Sequence, residues 1–144
     1  MSQENVKIVK ALLPPSGTDI VPLIRDDEAF ARMSEAISPF LADDFHGTRV
    51  FPGLNQTFVG LEGFRETWLD WLAPWATYRA TTEGLIDAGD RVVNLARDYG
   101  RRKGMDEEVE LIGGAIWTVR EGKVARYDGY ADRADALKAA GLSE

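Results

Sequence analysis

The stretch Gly113-Gly-Ala-Ile-Trp-Thr-Val-Arg-Glu-Gly-Lys-Val-Ala-Arg-Tyr-Asp-Gly-Tyr-Ala-Asp-Arg133 carries the strongest structural signal in the chain. Two alternating runs flank Glu121-Gly122, and the glycine of that pair tolerates the positive φ of a tight hairpin turn. Asp132 then stands where a helix N-cap belongs, ahead of the Ala/Leu-rich run from Ala134 to Glu144. Two antiparallel strands feeding a terminal helix are predicted.

Further strands are predicted upstream: Thr77 to Ile86, Arg91 to Tyr99 and Val109 to Val119, with Lys123 to Ala131 completing the series. Asp87 to Asp90, Arg101 to Gly104 and Glu121-Gly122 separate them. Arg101-Arg102-Lys103 reads as a solvated hairpin tip within an acidic chain. Before the strands, Phe64, Trp68, Trp71, Leu72 and Trp75 fall at i, i+4, i+7, i+8 and i+11, which is one apolar face of a helix that starts near Glu62. Phe45 to Phe51 has strand composition, and Pro52-Gly53 and Asn55 are expected to turn the chain. A helix carrying Ala29, Phe30, Met33 and Ile37 is capped by Asp26 or Asp27, and Ser16 to Arg25 reads as an ordered loop. Ser2 can cap a first helix with Val6, Val9, Leu12 and Leu13 on one side, ended by Pro14-Pro15. Helices first, then a meander and a closing helix describe an α+β domain.

At 144 residues and 44% hydrophobic content, the chain suits one domain, residues 1–144, with a real core. A formal net charge of −7 and a pI near 4.8 disfavour phosphate backbones and anionic lipid, so neither nucleic acid nor membrane is an expected partner. The start lacks a basic, then apolar, targeting pattern, and no run nears the ~20 apolar residues of a membrane span, so a cytoplasmic location is expected. With no cysteine and one histidine, His46, thiolate and multi-histidine metal sites are excluded; no metal and no cofactor is expected.

Gly89-Asp-Arg-Val-Val93, Ile116-Trp-Thr-Val-Arg-Glu-Gly-Lys-Val124 and Tyr130-Ala-Asp-Arg133 before the final helix resemble the SnoaL-like family of the nuclear transport factor 2-like superfamily. The resemblance implies a cone-shaped, strongly curved antiparallel sheet wrapped around the N-terminal helices, with an internal pocket and a short C-terminal helix. It also implies a homodimer formed through the sheet. Pro14 to Asp26 is an insertion where family members have a short link. The family includes polyketide cyclases, ketosteroid isomerases, epoxide hydrolases and dehydratases, besides proteins that only bind partners, so fold does not choose the activity.

Side chains alternate along a strand, so one inward residue fixes its neighbours. Similarity to limonene-epoxide-hydrolase-like members implies that Leu111, Gly113, Ala115 and Trp117 face inward, with Tyr127 and Gly129 on the next strand. By the same similarity Val93, Leu95, Arg97 and Tyr99 face inward on the preceding strand, and Gly47 and Arg49 on the early one. Those hydrolases hold an arginine between two aspartates; here Arg97 takes the arginine position, but Tyr99 and Gly129 stand at the acids. The isomerase base position is Arg49, which does not serve as a base near neutral pH. Asp98 and Asp128 lie one residue from inward positions, so a slip of one residue or a bulge would bring either inside. His46, the one imidazole, is a candidate general base, although parity with Arg49 turns it outward; with Asp98 it makes up the candidate catalytic residues, and the candidate ligand-binding residues are Arg49, Trp68, Arg97, Tyr99, Trp117 and Tyr127.

Three functions follow. One is a binding module for a small, largely apolar, oxygenated or carboxylate-bearing molecule, with Arg97 as the expected anchor between aromatic walls. Another is a cofactor-independent enzyme of the cyclase, isomerase or hydrolase type, which also needs a base. The last is a dimeric interaction protein without a ligand.

Overall fold

A computed structural model of the chain describes residues 2–51 and 54–142. Helix α1, Ser2–Leu12, ends as expected at the residues before Pro14, because a proline disfavours helical backbone at the residue ahead of it. The side chain of Ser2 and the Pro52-Gly53 turn lie outside the described residues. Helix α3, Asp27–Ile37, is capped by Asp26, whose carboxylate accepts the Ala29 N–H at 2.7 Å. A short 3-10 turn, Ser38–Phe40, leads into strand β2, Leu41–Phe51. Strand β3, Leu54–Val59, pairs antiparallel with β2 and passes into helix α4, Gly60–Leu72. Asn55 thus belongs to a strand, not to the expected turn, because its polar neighbours Gln56 and Thr57 follow an edge position that need not be apolar.

The inserted segment is ordered but is not a loop. It forms a two-residue strand β1, Thr18–Asp19, on the edge of the sheet and a short helix α2, Val21–Arg25. Pro22 suits the first turn of that helix, where a missing N–H is harmless. The Asp19 carboxylate accepts the N–H groups of both Val21 and Tyr78.

The strand predicted over Thr77 to Ile86 is two strands, β4 (Trp75–Ala80) and β5 (Thr82–Ala88). Both pair with β6, Arg91–Arg102, one with each half, and the break falls at Thr81. Trp75 therefore opens β4 and does not extend the helical stripe; α4 stops at Leu72, before Pro74. Strands β7 (Glu108–Arg120) and β8 (Lys123–Tyr130) form the expected hairpin, with φ of 53° at Glu121 and 79° at Gly122. Helix α5, Arg133–Ala139, is capped by Asp132, which accepts the Ala134 N–H at 2.8 Å.

Among the described residues the sheet has eight strands in the order β1-β4-β6-β7-β8-β2-β3, with β5 beside β6. It is curved and unclosed, and antiparallel except for β2 against β8, which run parallel. Two clusters fill its concave side. One joins Val9 of α1 to Phe45, Phe58, Val92, Trp117 and Tyr127. The other joins Ile20, Ile24 and Phe30 to Leu72, Trp75 and Tyr78. On the convex side α5 covers Val93 and Ile116 with Leu137 and Ala140. No described helix is long and apolar enough to cross a membrane.

Candidate functional site

Between the helices and the concave face lies a cavity of about 160 Å³. Its walls are mostly aliphatic and aromatic, from α1, the inserted segment, α3, α4 and the strands. Its polar groups are few: Arg49, Tyr78, Thr81, Thr82, Asn94, Asp98 and Tyr127 face it.

The parity expected for β6 is off by one. Directly paired residues share a face, and β6 pairs Val92 with Trp117, Asn94 with Ala115, Ala96 with Gly113 and Asp98 with Leu111. Because Leu111, Gly113, Ala115 and Trp117 do face the cavity, the even-numbered residues of β6 face it too. Val93, Leu95, Arg97 and Tyr99 point outward. Arg97 and Tyr99 are thus corrected as cavity residues. Arg97 forms surface ion pairs with Glu83 at 2.8 Å and Glu110 at 2.9 Å, and the Glu83 pair is the main cause that raises its pKa. The Tyr99 hydroxyl donates to Glu110 at 3.4 Å. An outward arginine pays no burial penalty and is satisfied by acids in water.

The buried cation is Arg49, only 7% exposed. Its guanidinium lies 4.1 Å from the ring centre of Trp68 and 5.8 Å from that of Trp71, so two residues of the helical stripe form its bed. It also donates to the Tyr127 hydroxyl at 3.3 Å. Tyr127 packs edge-on against Trp117, 4.7 Å between ring centres, and against Phe64 at 5.2 Å. Burial raises the Tyr127 pKa, with Arg49 opposing, so the hydroxyl keeps its proton. Gly129, where hydrolase relatives place an acid, makes room for this pair: a Cβ there would lie 2.8 Å from the Tyr127 hydroxyl and 3.1 Å from Arg49 Cδ. Trp117, 7% exposed, buries its indole nitrogen without a partner.

Asp98 is the acid of the cavity. One carboxylate oxygen accepts the Tyr78 hydroxyl at 2.9 Å, and the other accepts the Thr81 N–H at 3.0 Å, across the break between β4 and β5. Burial raises its pKa, and these hydrogen bonds and the Arg49 charge oppose the rise. Tyr78, not anticipated from sequence, is itself held edge-on to Trp68, Trp71 and Trp75. A raised carboxyl pKa means that the native state holds a proton which the unfolded chain has already released. Stability from Asp98 is therefore full below the unfolded value of about 3.8 and is lost as pH rises through the folded value. Asp98→Asn keeps hydrogen-bonding capacity toward Tyr78 and Thr81 without the charge. Its melting temperature relative to wild type is expected to rise as the pH is raised above about 3.8, and a difference that does not change with pH would refute the assignment.

His46 stands on the opposite face of β2 from Arg49, with Nδ1 2.8 Å from the Asp44 carbonyl oxygen, and it does not face the cavity. As a base for chemistry inside the cone it is corrected by strand alternation. Asp128 also turns away: it accepts the Thr48 hydroxyl at 2.6 Å and pairs with Arg126. Arg49, Trp68, Asp98, Trp117 and Tyr127 are brought together at one cavity. Sequence reading missed Tyr78, Asn94 and the inserted Ile20, Leu23 and Ile24; pairing β6 to β7 by register, not by similarity, would have found Asn94. Among the described residues no group of three or more His, Asp or Glu could hold a metal ion.

A family model for the SnoaL-like domain matches residues 27–127. No curated protein matches the chain in sequence. TerC, solved with polyporic acid, is 20% identical with a TM-score of 0.63 over 88% of this chain and 89% of its own. An NTF2-like protein of unknown function from Burkholderia pseudomallei is 19% identical, TM-score 0.64, covering 94% and 95%. A protein from Jannaschia sp. bearing the name SnoaL-like polyketide cyclase is 18% identical, TM-score 0.64, covering 88% and 84%. At these identities the likeness is one of fold.

Proposed function

The chain belongs to the SnoaL-like domain family, and from that premise we propose that its cone cavity binds a small, largely apolar molecule carrying a carboxylate or comparable oxygen group. The observation that carries this reading is Arg49, a permanent cation buried on Trp68 in a cavity whose walls are mostly apolar. An anionic oxygen beside Arg49 and the Tyr127 hydroxyl would receive charge-assisted hydrogen bonds away from competing water. Such bonds contribute about 1.5–3 kcal/mol. Arg49→Met, which keeps the length and apolar stem, is therefore expected to weaken binding of a small carboxylate about 10- to 100-fold in a tryptophan-fluorescence titration. Unchanged affinity would remove the anchor.

Gly129→Ala tests the same place without touching a charge. Its Cβ would press on the Tyr127 ring, 2.8 Å from the hydroxyl and 2.9 Å from Cε1, and on Arg49 Cδ at 3.1 Å, so a loss of ligand affinity together with a lower melting temperature is expected. A loss of folding with no effect on the remaining native protein's affinity would contradict that expectation.

A second reading, a cyclase-, isomerase- or hydrolase-type enzyme, is supported by Asp98. A buried carboxyl whose pKa is raised toward the working pH suits proton transfer, and it shares the cavity with the cation that would stabilise a developing oxyanion. If a substrate is turned over, Asp98→Asn abolishes turnover while leaving binding; full turnover by that variant sinks the reading. The third reading, a dimeric interaction protein without a ligand, is weaker because the cone is not filled by side chains; sedimentation reads the dimer.

A further inference from the structure

The inserted segment gives the cavity a size limit. We infer that it restricts the ligand to one six-membered ring bearing a single ionised oxygen group, of the benzoate type, and that Leu23 is the residue setting this restriction. The inference rests on the binding reading above and adds the ligand's class.

An apolar cavity of ~150 Å³ accommodates one benzene ring, and the present cavity is about 160 Å³. That is the scale of one ring, and a second fused ring would press on the lining. One wall of the cavity is Ile20, Leu23 and Ile24 of the insertion, in the same lining as Arg49, Trp68 and Tyr78. It is tied down on both sides. Gly17 and Ile20 donate backbone N–H groups to Ala80 and Tyr78 at 2.9 Å each, and the Asp19 carboxylate binds the Tyr78 N–H. Arg25 donates to the Leu72 carbonyl at 2.7 Å, and Arg65 donates to the Ile24 carbonyl at 2.8 Å. A wall anchored to β4 and α4 excludes by fixed shape, a repulsive contribution to specificity.

The polar groups agree with one oxygen-bearing end. Arg49 and Tyr127 converge, and beside them Trp117 has a buried indole N–H without a partner, an extra donor for a bound oxygen. The Asp98 carboxyl is already engaged by Tyr78 and Thr81. A mono-acid with a bare ring therefore matches the donors and the apolar walls together.

The test is a tryptophan-fluorescence titration of the full chain with benzoate, cyclohexanecarboxylate, 1-naphthoate and toluene. Wild type is expected to bind the two single-ring acids and to bind 1-naphthoate at least about tenfold more weakly, the cost of forcing atoms into filled apolar space. Leu23 is only half-buried, so Leu23→Ala should fold, and it is expected to shift the ratio of 1-naphthoate to benzoate affinity about tenfold toward 1-naphthoate. Leu23→Trp should weaken benzoate by a similar factor. Preference of wild type for 1-naphthoate, or the same selectivity in Leu23→Ala, overturns the size limit alone. Toluene binding as tightly as benzoate overturns the requirement for an ionised group. Failure of every acid at millimolar concentration overturns the binding reading itself.

Discussion

Gly47→Ala is expected to cost more than about 4 kcal/mol, enough to leave little native protein at ordinary temperatures. A Cβ at Gly47 would stand 1.7 Å from the Tyr127 carbonyl oxygen and 2.9 Å from the Phe58 ring. The first contact is with backbone, so no side-chain rotation relieves it. The parallel pair β2 and β8 would have to separate where Gly47 faces Tyr127. That separation also dislodges the strand that carries Arg49. Urea unfolding followed by circular dichroism measures the loss. Gly84→Ala is the control, because its Cβ would meet only a Leu95 methyl at 3.9 Å, and a change within about 1 kcal/mol is expected. Equal, small effects at both positions would show that the sheet accommodates the clash.

Trp75→Ala is expected to destabilise by about 3–5 kcal/mol. The ring is 2% exposed and packs edge-on to Tyr78 at 5.7 Å between centres. Gly100 leaves the space in which it lies, since a Cβ there would sit 2.6 Å from the indole. The Arg102 guanidinium covers the ring at 4.9 Å. Removing the indole opens a void beside Leu72 and Tyr78 that the surrounding helices cannot fill without moving. Tyr78 then loses one of its lateral supports and, with it, its fixed aim at Asp98. Thermal melts at several pH values would detect both effects: a lower midpoint, and a changed pH slope where Asp98 titrates. A variant that melts with the wild type would mean that the tryptophan contributes no net packing.

The hairpin and its neighbours were legible because their signals are local. Glu121-Gly122 supplies two positive-φ positions in succession, and Asp132 caps the helix that follows. Likewise Asp26 caps α3 by a contact three residues away. The concave face of β7 and β8 and the inward aim of Arg49 also follow from alternation. What failed was parity carried across a loop. The residues between β6 and β7 set which face of one strand meets which face of the other, and no local pattern announces that register. Arg97 and Tyr99 look like site residues only until the pairing of Asp98 with Leu111 is known. Trp75 kept the helical spacing of Trp68 and Trp71, although Pro74 had already ended the helix. The insertion was opaque for another reason. Its two short elements gain their stability from Tyr78, Ala80, Leu72 and Arg65, all distant in sequence.

The break at Thr81 is closed by the carboxyl of Asp98, the same group that faces the cavity. The break between β4 and β5 and the acidity of the site thus share one side chain. A lineage that exchanged this acid for a residue unable to accept the Thr81 N–H would reshape the wall before it altered any reaction, and an engineer would have to re-anchor Thr81 first. Selection for architecture alone would keep a hydrogen-bond acceptor here, aspartate or asparagine. Its retention among relatives is accordingly expected even in members that bind and never react.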